Sequence, residues 1–374
     1  MRIAFLCKRR YMSKDVILDR YARLYEIPFQ LARLGHDVRG FCLSYQNAEE
    51  GEWQHHATPG SLHWESRSLG RLYLPGLASY PHKLLQRLRA FAPDVLIGAS
   101  DIPHAALTAW LSKRLRMPYA IDLYDNFEGF GQARLPGMVR TLRRAVRHAD
   151  LVTTTSELLR ELVVDVYGAR GEVVAMPSTI DKSMFHPRDR LACRRSLGLP
   201  ESARLIGTAG GLLANRGIGV LYEAWKIIES RHKDVHLVLA GPVDDALPPP
   251  SGARVHYLGM LPHARTAELF AALDVGVIYL ADTPFGRYCF PQKAYEMLAC
   301  ELPVVGADLG AMPHLLASTP EALYHAEDAT DLVRAIQHQL QQAALPSIAI
   351  EDWANVIGRM DQHLHNLALP PYNG

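Results

Sequence analysis

Residues 289–310 read CFPQKAYEMLACELPVVGADLG, and several local signals in this stretch converge on one physical object. Pro291 suits the first turn of a helix, where a missing N–H costs nothing. Ala294, Met297 and Leu298 fall at i, i+3 and i+4 and give an apolar stripe. After a break at Cys300–Leu302, Pro303–Gly306 is a brief apolar run suited to a buried parallel strand. The unit is therefore loop, helix, strand. Lys293 and Glu296 stand three apart in the first two turns and share one face. Free backbone N–H groups, the positive end of a helix dipole and a lysine favour an anion, most often phosphate. Glu296, one turn deeper, is placed to accept hydrogen bonds from a hydroxylated group such as a ribose. A solvated i,i+3 pair on an ordinary helix is the alternative.

The sequence upstream restarts the same grammar several times. Arg204–Ala209 reads as a strand, Gly210-Gly211 as a turn, and 212–217 as a loop ending in Arg216-Gly217 before a helix over 218–231 with Trp225 on its inner side. Glycines after a strand let the backbone approach a ligand closely, and an arginine near a helix start suits a diphosphate. Strands follow at 235–240, 255–258 (a short edge strand) and 274–279, with a helix over 265–273 and an exit loop over 280–288 that delivers the chain to Phe290-Pro291.

The first half has the same alternation. Strands are expected at 1–7, 38–43, 94–98, 118–122, 150–155 and 172–176, with helices over 21–34, 81–91 and from Ile102 through Arg116. Residues 46–80, with His55, His56 and His63, have no clear order; a solvated hairpin suits the adjacent histidines better than a metal site. No GxGxxG follows the first strand, which counts against a dinucleotide fingerprint. Polar residues crowd just past strand C-termini, where an open parallel sheet binds its ligands: Arg10, Asp101, His104, Tyr124 and Asp125. An aspartate there can equally cap the next helix. The stretch 134–149 places Arg140, Arg143, Arg144 and Arg147 along a helix, either a basic face for anionic lipid headgroups or a solvated outer helix. The segment 177–200 reads as a crossover linker. From 348 to 367, Trp353, Val356, Ile357, Met360 and Leu364 are apolar at helical spacing, long enough to run back across it.

At 374 residues the chain exceeds the roughly 250–300 at which single cores stop growing, so two domains are expected. The 48% hydrophobic content is globular, and no run approaches the ~20 apolar residues of a membrane span. The opening MRIAFLCKRR puts the apolar residues before the charges, the reverse of a signal peptide. The 5 cysteines are scattered without a CxxC, which predicts reduced thiols in a cytoplasmic protein and no zinc site. Net charge is +1, yet residues 1–150 hold about 22 Lys/Arg against about 14 Asp/Glu, an asymmetry that suits an anionic partner for one half.

Four segments, ARLGHDV, HADLVTTTSELL with MPSTIDKSMF, GTAGGLLANRGIGVL and FPQKAYEMLACELPVVGADLGAMP, together resemble the glycosyltransferase family 4 group of GT-B enzymes over nearly the whole chain. The resemblance implies an α/β GT-B fold of two doubly wound Rossmann-like parallel-sheet domains facing each other across a cleft. The acceptor-binding domain would span 1–182 with a returning helix over 350–374, and the nucleotide-sugar domain 183–349. It implies a retaining transfer from a nucleotide diphosphate sugar to a hydroxyl of a glycan or lipid-linked acceptor, in polysaccharide or glycolipid synthesis. Neither cofactor nor obligatory metal is implied, and no nucleic acid. A location in the cytoplasm, peripheral on the inner membrane face through 134–149, follows. Carried over by position, Arg216 and Lys293 would hold the diphosphate with Gly210, Gly211, Phe290 and Pro291, and Glu296 the ribose; Asp125, Tyr124 and His104 are acceptor-side candidates, with Arg10 and Asp101 cleft-facing. The family's first glutamate is Tyr288 here, Tyr124 stands where histidine is frequent, and Ser178-Thr179 replace the usual Asn-Gly. These departures keep open a catalytically silent nucleotide-sugar-binding subunit, and an epimerase on the same fold.

Overall fold

The computed structural model describes residues 1–11, 14–70 and 73–368. The chain divides into two compact units, Met1–Ser178 together with the segment from Trp353, and Thr179–Asp352.

In the first unit the strands are β1 (Arg2–Lys8), a small ribbon of β2 (Arg10–Tyr11) and β3 (Lys14–Asp15), β4 (Asp37–Ser44), β5 (Gly51–His55), β6 (Ser61–Ser68), β7 (Val95–Ala99), β8 (Tyr119–Leu123), β9 (Leu151–Thr154) and β10 (Glu172–Ala175). Helices α1 (Ala22–Arg33), α2 (Tyr73–Phe91), α3 (Ile102–Leu115), α4 (Met138–Arg147) and α5 (Glu157–Glu161) lie between them. The sheet runs β10-β9-β8-β7-β1-β4-β6-β5. Every neighbouring pair is parallel except β5 with β6, so the unordered stretch after residue 46 is a hairpin arm on a parallel sheet. His55 is buried there, its Nδ1 3.1 Å from the Tyr25 hydroxyl.

The second unit carries α6 (Arg190–Leu197), β11 (Arg204–Ala209), α7 (Gly219–Arg231), β12 (Val235–Ala240), β13 (Val255–Tyr257), α8 (His263–Ala272), β14 (Val275–Ile278), α9 (Pro284–Tyr288), α10 (Gln292–Ala299), β15 (Val304–Ala307), α11 (Met312–Leu315), β16 (Leu323–Tyr324) and α12 (Ala329–Gln341). Its sheet order is β13-β12-β11-β14-β15-β16, parallel throughout. The order reverses direction at β11 and β14, and the loops after those strands are the expected ligand crevice. Two readings need correction. The linker contains α6, started by Asp189 accepting from the Ala192 N–H at 2.7 Å. The exit loop contains α9, capped by Thr283 accepting from the Gly286 N–H at 3.2 Å.

The last helix, α13 (Trp353–Ala368), packs on the first unit. Trp353, Val356, Ile357, Met360 and Leu364, the apolar positions at helical spacing, are buried in one cluster with Leu24, Ile27 and Leu31 of α1.

Candidate functional site

Three chain segments of the second unit build the site: the exit of β11, the exit of β14, and the start of α10. Gly210 follows β11 at φ +112°, and a Cβ there would lie 3.2 Å from the Lys293 Cε. The lysine stem thus occupies the space that a side chain at 210 would take. Gly241, at φ +126°, plays the same part for the exit of β12: its Cβ would stand 2.0 Å from the Gly210 carbonyl oxygen. These positive φ values favour glycine, and so does the room.

Lys293 reaches back from α10 to donate to Thr208 Oγ1 at 3.3 Å, and its ammonium lies 4.7 Å from the centre of the Tyr279 ring. Tyr279 sits just beyond β14 and donates its hydroxyl to the Gly211 carbonyl at 2.7 Å. Burial drives the Lys293 pKa down to about 8; Glu296 and Cys289 pull it upward, and the Arg216 charge pushes it further down. Arg216 also lowers the pKa of Tyr279, which burial raises. Arg216 and Lys293 are therefore within electrostatic reach of each other and of one tyrosine. The Arg216 guanidinium carbon is 3.4 Å from the centre of the Phe285 ring, and its Nη1 is buried without a hydrogen-bond partner among the described residues. A buried ionised donor left unpaired is costly. An anion brought beside it would supply the missing acceptor.

Glu296, one turn beyond Lys293, is buried with an oxygen 3.5 Å from His263 Nε2. Phe290 packs on Tyr295 with ring centres 4.8 Å apart. The start of α10 departs from expectation. Pro291 is the cap, at φ −82° and ψ 63°, and the helix begins at Gln292. The Gln292 and Ala294 N–H groups donate to the Phe290 and Pro291 carbonyls, so two of the donors expected to be free are taken. Positive charge here rests on the two side chains and the dipole more than on open N–H groups.

In the first unit the acceptor-side candidates gather at the exits of β1, β7 and β8. Asp101 caps α3, accepting from the His104 N–H at 3.0 Å and from the His104 ring at 2.6 Å, while Tyr45 donates to its other oxygen at 3.0 Å. Asp101 and His104 are each 1% exposed, which takes both away from solvent and corrects their reading as open, cleft-lining groups. The polar side chains just past β7 bond one another on all but one side: the His104 Nε2 is buried without a partner among the described residues. Asp125 is buried as well and accepts from the Asn126 N–H at 2.7 Å. Arg10 is exposed and donates to Gln46 Oε1 at 2.8 Å. Tyr124 remains half-exposed, donating to the Ser100 carbonyl at 2.9 Å.

Sequence reasoning missed Lys8, the residue that organises this cluster. Its ammonium donates to the Tyr124 hydroxyl at 3.1 Å and lies 5.7 Å from the centre of the Phe130 ring. Burial lowers its pKa, with Asp101, Cys7 and Asp125 pulling the other way. Its place as the last residue of β1 was the only cue, and the neighbouring Arg9 and Arg10 share that strand exit. Another missed feature is a buried ion pair: Arg23 of α1 binds Asp122 of β8 at 2.6 Å, with Thr153 donating to the same carboxylate at 2.6 Å. Arg23 also donates to the Met176 carbonyl at 2.7 Å. An aspartate inside an otherwise apolar strand was the readable cue.

Two family models match the chain. One, described as a glycosyl transferase 4-like domain, covers residues 23–179; the other, glycosyl transferases group 1, covers 203–342. The putative teichuronic acid biosynthesis glycosyltransferase TuaC of Bacillus subtilis (strain 168) is 24% identical over 307 residues, 82% of this chain and 75% of that protein. Among solved structures, the sucrose-phosphate synthase of Thermosynechococcus elongatus superposes with a TM-score of 0.75 at 18% identity, covering 98% of each chain. HepE of Anabaena, solved in complex with UDP, gives a TM-score of 0.67 at 18% identity over 98% of this chain and 100% of the other.

Proposed function

The chain belongs to the GT-B glycosyltransferases, a glycosyl transferase 4-like domain followed by a group 1 domain, and from that premise we propose that it moves a sugar from a nucleoside diphosphate sugar to an acceptor hydroxyl with retention of configuration. The observation that carries the donor assignment is the unpaired Nη1 of Arg216 beside Lys293. Breaking a sugar–phosphate bond leaves negative charge on the departing diphosphate. Fixed cations stabilise that charge without reorganising. HepE has also been solved with UDP-glucose, which supports a uridine nucleotide as the first donor to try.

In this reading Arg216 and Lys293 hold the diphosphate, the Gly210-Gly211 turn admits it, and Glu296 accepts from the ribose. The two side chains and the dipole of α10 supply the positive charge a metal would otherwise bring, so the transfer is assigned no resident metal or cofactor. The acceptor is a glycan or lipid-linked hydroxyl presented by the first unit, with Tyr124 and Lys8 the partly open groups there. No helix among the described residues is long and apolar enough to cross a membrane. Contact with a lipid-linked acceptor at the inner face of the cell membrane is assigned to α4, where Arg140, Arg144 and Arg147 are exposed and face the anionic headgroups.

A donor-binding subunit without turnover is the second reading, favoured by Tyr288 in place of a carboxylate at the sugar end. Thermal shift over nucleoside diphosphates and their sugars identifies the donor, because a ligand that binds the native state raises apparent stability by mass action. Labelled donor with pooled glycan and polyprenyl-linked acceptors then separates the readings. Transfer or slow hydrolysis identifies an enzyme, and affinity without either identifies a binding subunit. No shift with any nucleotide removes the donor assignment.

A further inference from the structure

We propose that His36, Asp361 and His365 form a binding site for a divalent transition cation, zinc by ligand chemistry, that fastens α13 to the turn after α1. One ligand atom from each residue lies within 4.8 Å of the other two. His36 Nε2 is 2.6 Å from Asp361 Oδ1, and His365 Nδ1 is 3.3 Å from the same oxygen. The two imidazole rings have centres 5.4 Å apart. Zinc binds imidazole nitrogen and carboxylate oxygen at about 2.0–2.2 Å in tetrahedral array, which sets ligand atoms roughly 3.4 Å from one another. The two pairs that share the Asp361 oxygen are already at or inside that spacing.

The ligands are held as a metal site requires. His36 follows Gly35, whose φ of +97° turns the chain off α1. The His36 N–H donates to the Leu31 carbonyl at 3.3 Å, and its own carbonyl accepts from Ser61 at 3.0 Å, so the buried ring has a fixed base. Asp361 and His365 are four apart on α13 and share a face. The His365 side chain is 53% exposed, and its Nδ1 is held 2.9 Å from the Asp361 carbonyl oxygen. Two nitrogens and one carboxylate oxygen suit zinc, copper or nickel and disfavour magnesium and calcium, which prefer all-oxygen shells. A fourth position is left for water.

Uptake exchanges protons for the metal. The cation replaces the proton shared by His36 and Asp361, and it takes the His365 lone pair once that ring gives up its 2.9 Å bond to the Asp361 carbonyl. Metal binding releases protons in such an exchange. His36 bound through Nε2 needs its remaining proton on Nδ1, and the Met1 ammonium 3.1 Å away supplies it, being left as the neutral amine.

The test uses the full chain, stripped with chelator and titrated with zinc chloride and with cobalt chloride. Calorimetry is expected to give one ion per chain, cobalt to give visible d–d bands, and the melting temperature to rise by several degrees with zinc and not with magnesium. His365→Gln, at an exposed position that leaves the core intact, should weaken binding by more than about tenfold, and Asp361→Asn should do the same. His236→Gln is the control, because His236 Nδ1 and His256 Nε2 also lie 3.0 Å apart and should not account for the signal. Absence of stoichiometric binding, or wild-type affinity in both the His365 and Asp361 variants, overturns the proposal.

Discussion

An ammonium with a pKa of about 8, set over a tyrosine ring and coupled to Glu296 and Arg216, is half-discharged in mildly alkaline buffer. The charged form is the one a diphosphate needs, and it is lost as pH rises through about 8. UDP affinity should therefore fall by up to about tenfold between pH 7 and pH 9, and Lys293→Arg should flatten that profile; an equally steep profile in the variant would assign the titration elsewhere. Stability moves in the opposite sense. The unfolded lysine keeps its proton to about 10.4, so the ligand-free protein binds fewer protons than its unfolded chain between those values and gains stability as pH rises across the window. Replacing Arg216 or Lys293 by alanine should cut turnover on the order of 100-fold or more. Neither change opens a core position and each removes a charge that is costly to bury, so the melting temperature should hold or rise, and near-wild-type rates in both variants would remove the diphosphate assignment.

At the scale of elements, the Arg23–Asp122 pair joins α1 to β8, with Thr153 of β9 on the same carboxylate, and the arginine continues to the chain leaving β10. Both side chains are nearly inaccessible, so truncating one strands the other charge. Asp122→Ala is expected to cost about 3–5 kcal/mol, read as a loss of midpoint in urea unfolding with unchanged m-value. Arg23→Met with Asp122→Leu should recover much of that loss. The pair also shows what periodicity can and cannot reveal. The strands and long helices were legible because their apolar residues repeat at two clear spacings, and α10 was legible down to its stripe of Ala294, Met297 and Leu298. Helix α6 was not, because RLACRRSL has three arginines interrupting a short apolar pattern and declares itself chiefly through the Asp189 cap. The five residues of α9 are too few to show a period. The two cations of the proposed donor site were readable from chain position; Tyr279, Thr208 and the partnerless face of Arg216 needed three-dimensional neighbours. On the first unit the order of legibility inverts, since the polar residues past β7 stand out in sequence and are buried in fact, whereas Lys8 stands in a basic run that gave no reason to single it out.

For the molecule as a whole, net charge conceals a division: the excess of Lys/Arg lies within residues 1–150. On α4, Leu142, Ala145 and Val146 are buried while Arg140, Arg144 and Arg147 remain exposed, and Arg143 is held by Glu128 at 2.7 Å. Binding to vesicles rich in anionic lipid should fall several-fold when Arg140, Arg144 and Arg147 are changed together to glutamate, and should weaken with salt as the Debye length shrinks. Co-sedimentation unaffected by both would leave α4 a solvated helix.

The cluster that takes Trp353, Val356, Ile357, Met360 and Leu364 against α1 has a consequence during synthesis. A ribosome finishes the residues of the second unit before it delivers the helix that completes the first, so the earlier part of the chain must wait, with its apolar groove uncovered, while the later part is made. Nascent chains halted before Trp353 would expose that groove to chaperones, and the order in which the two units mature would be the reverse of the order in which they are begun.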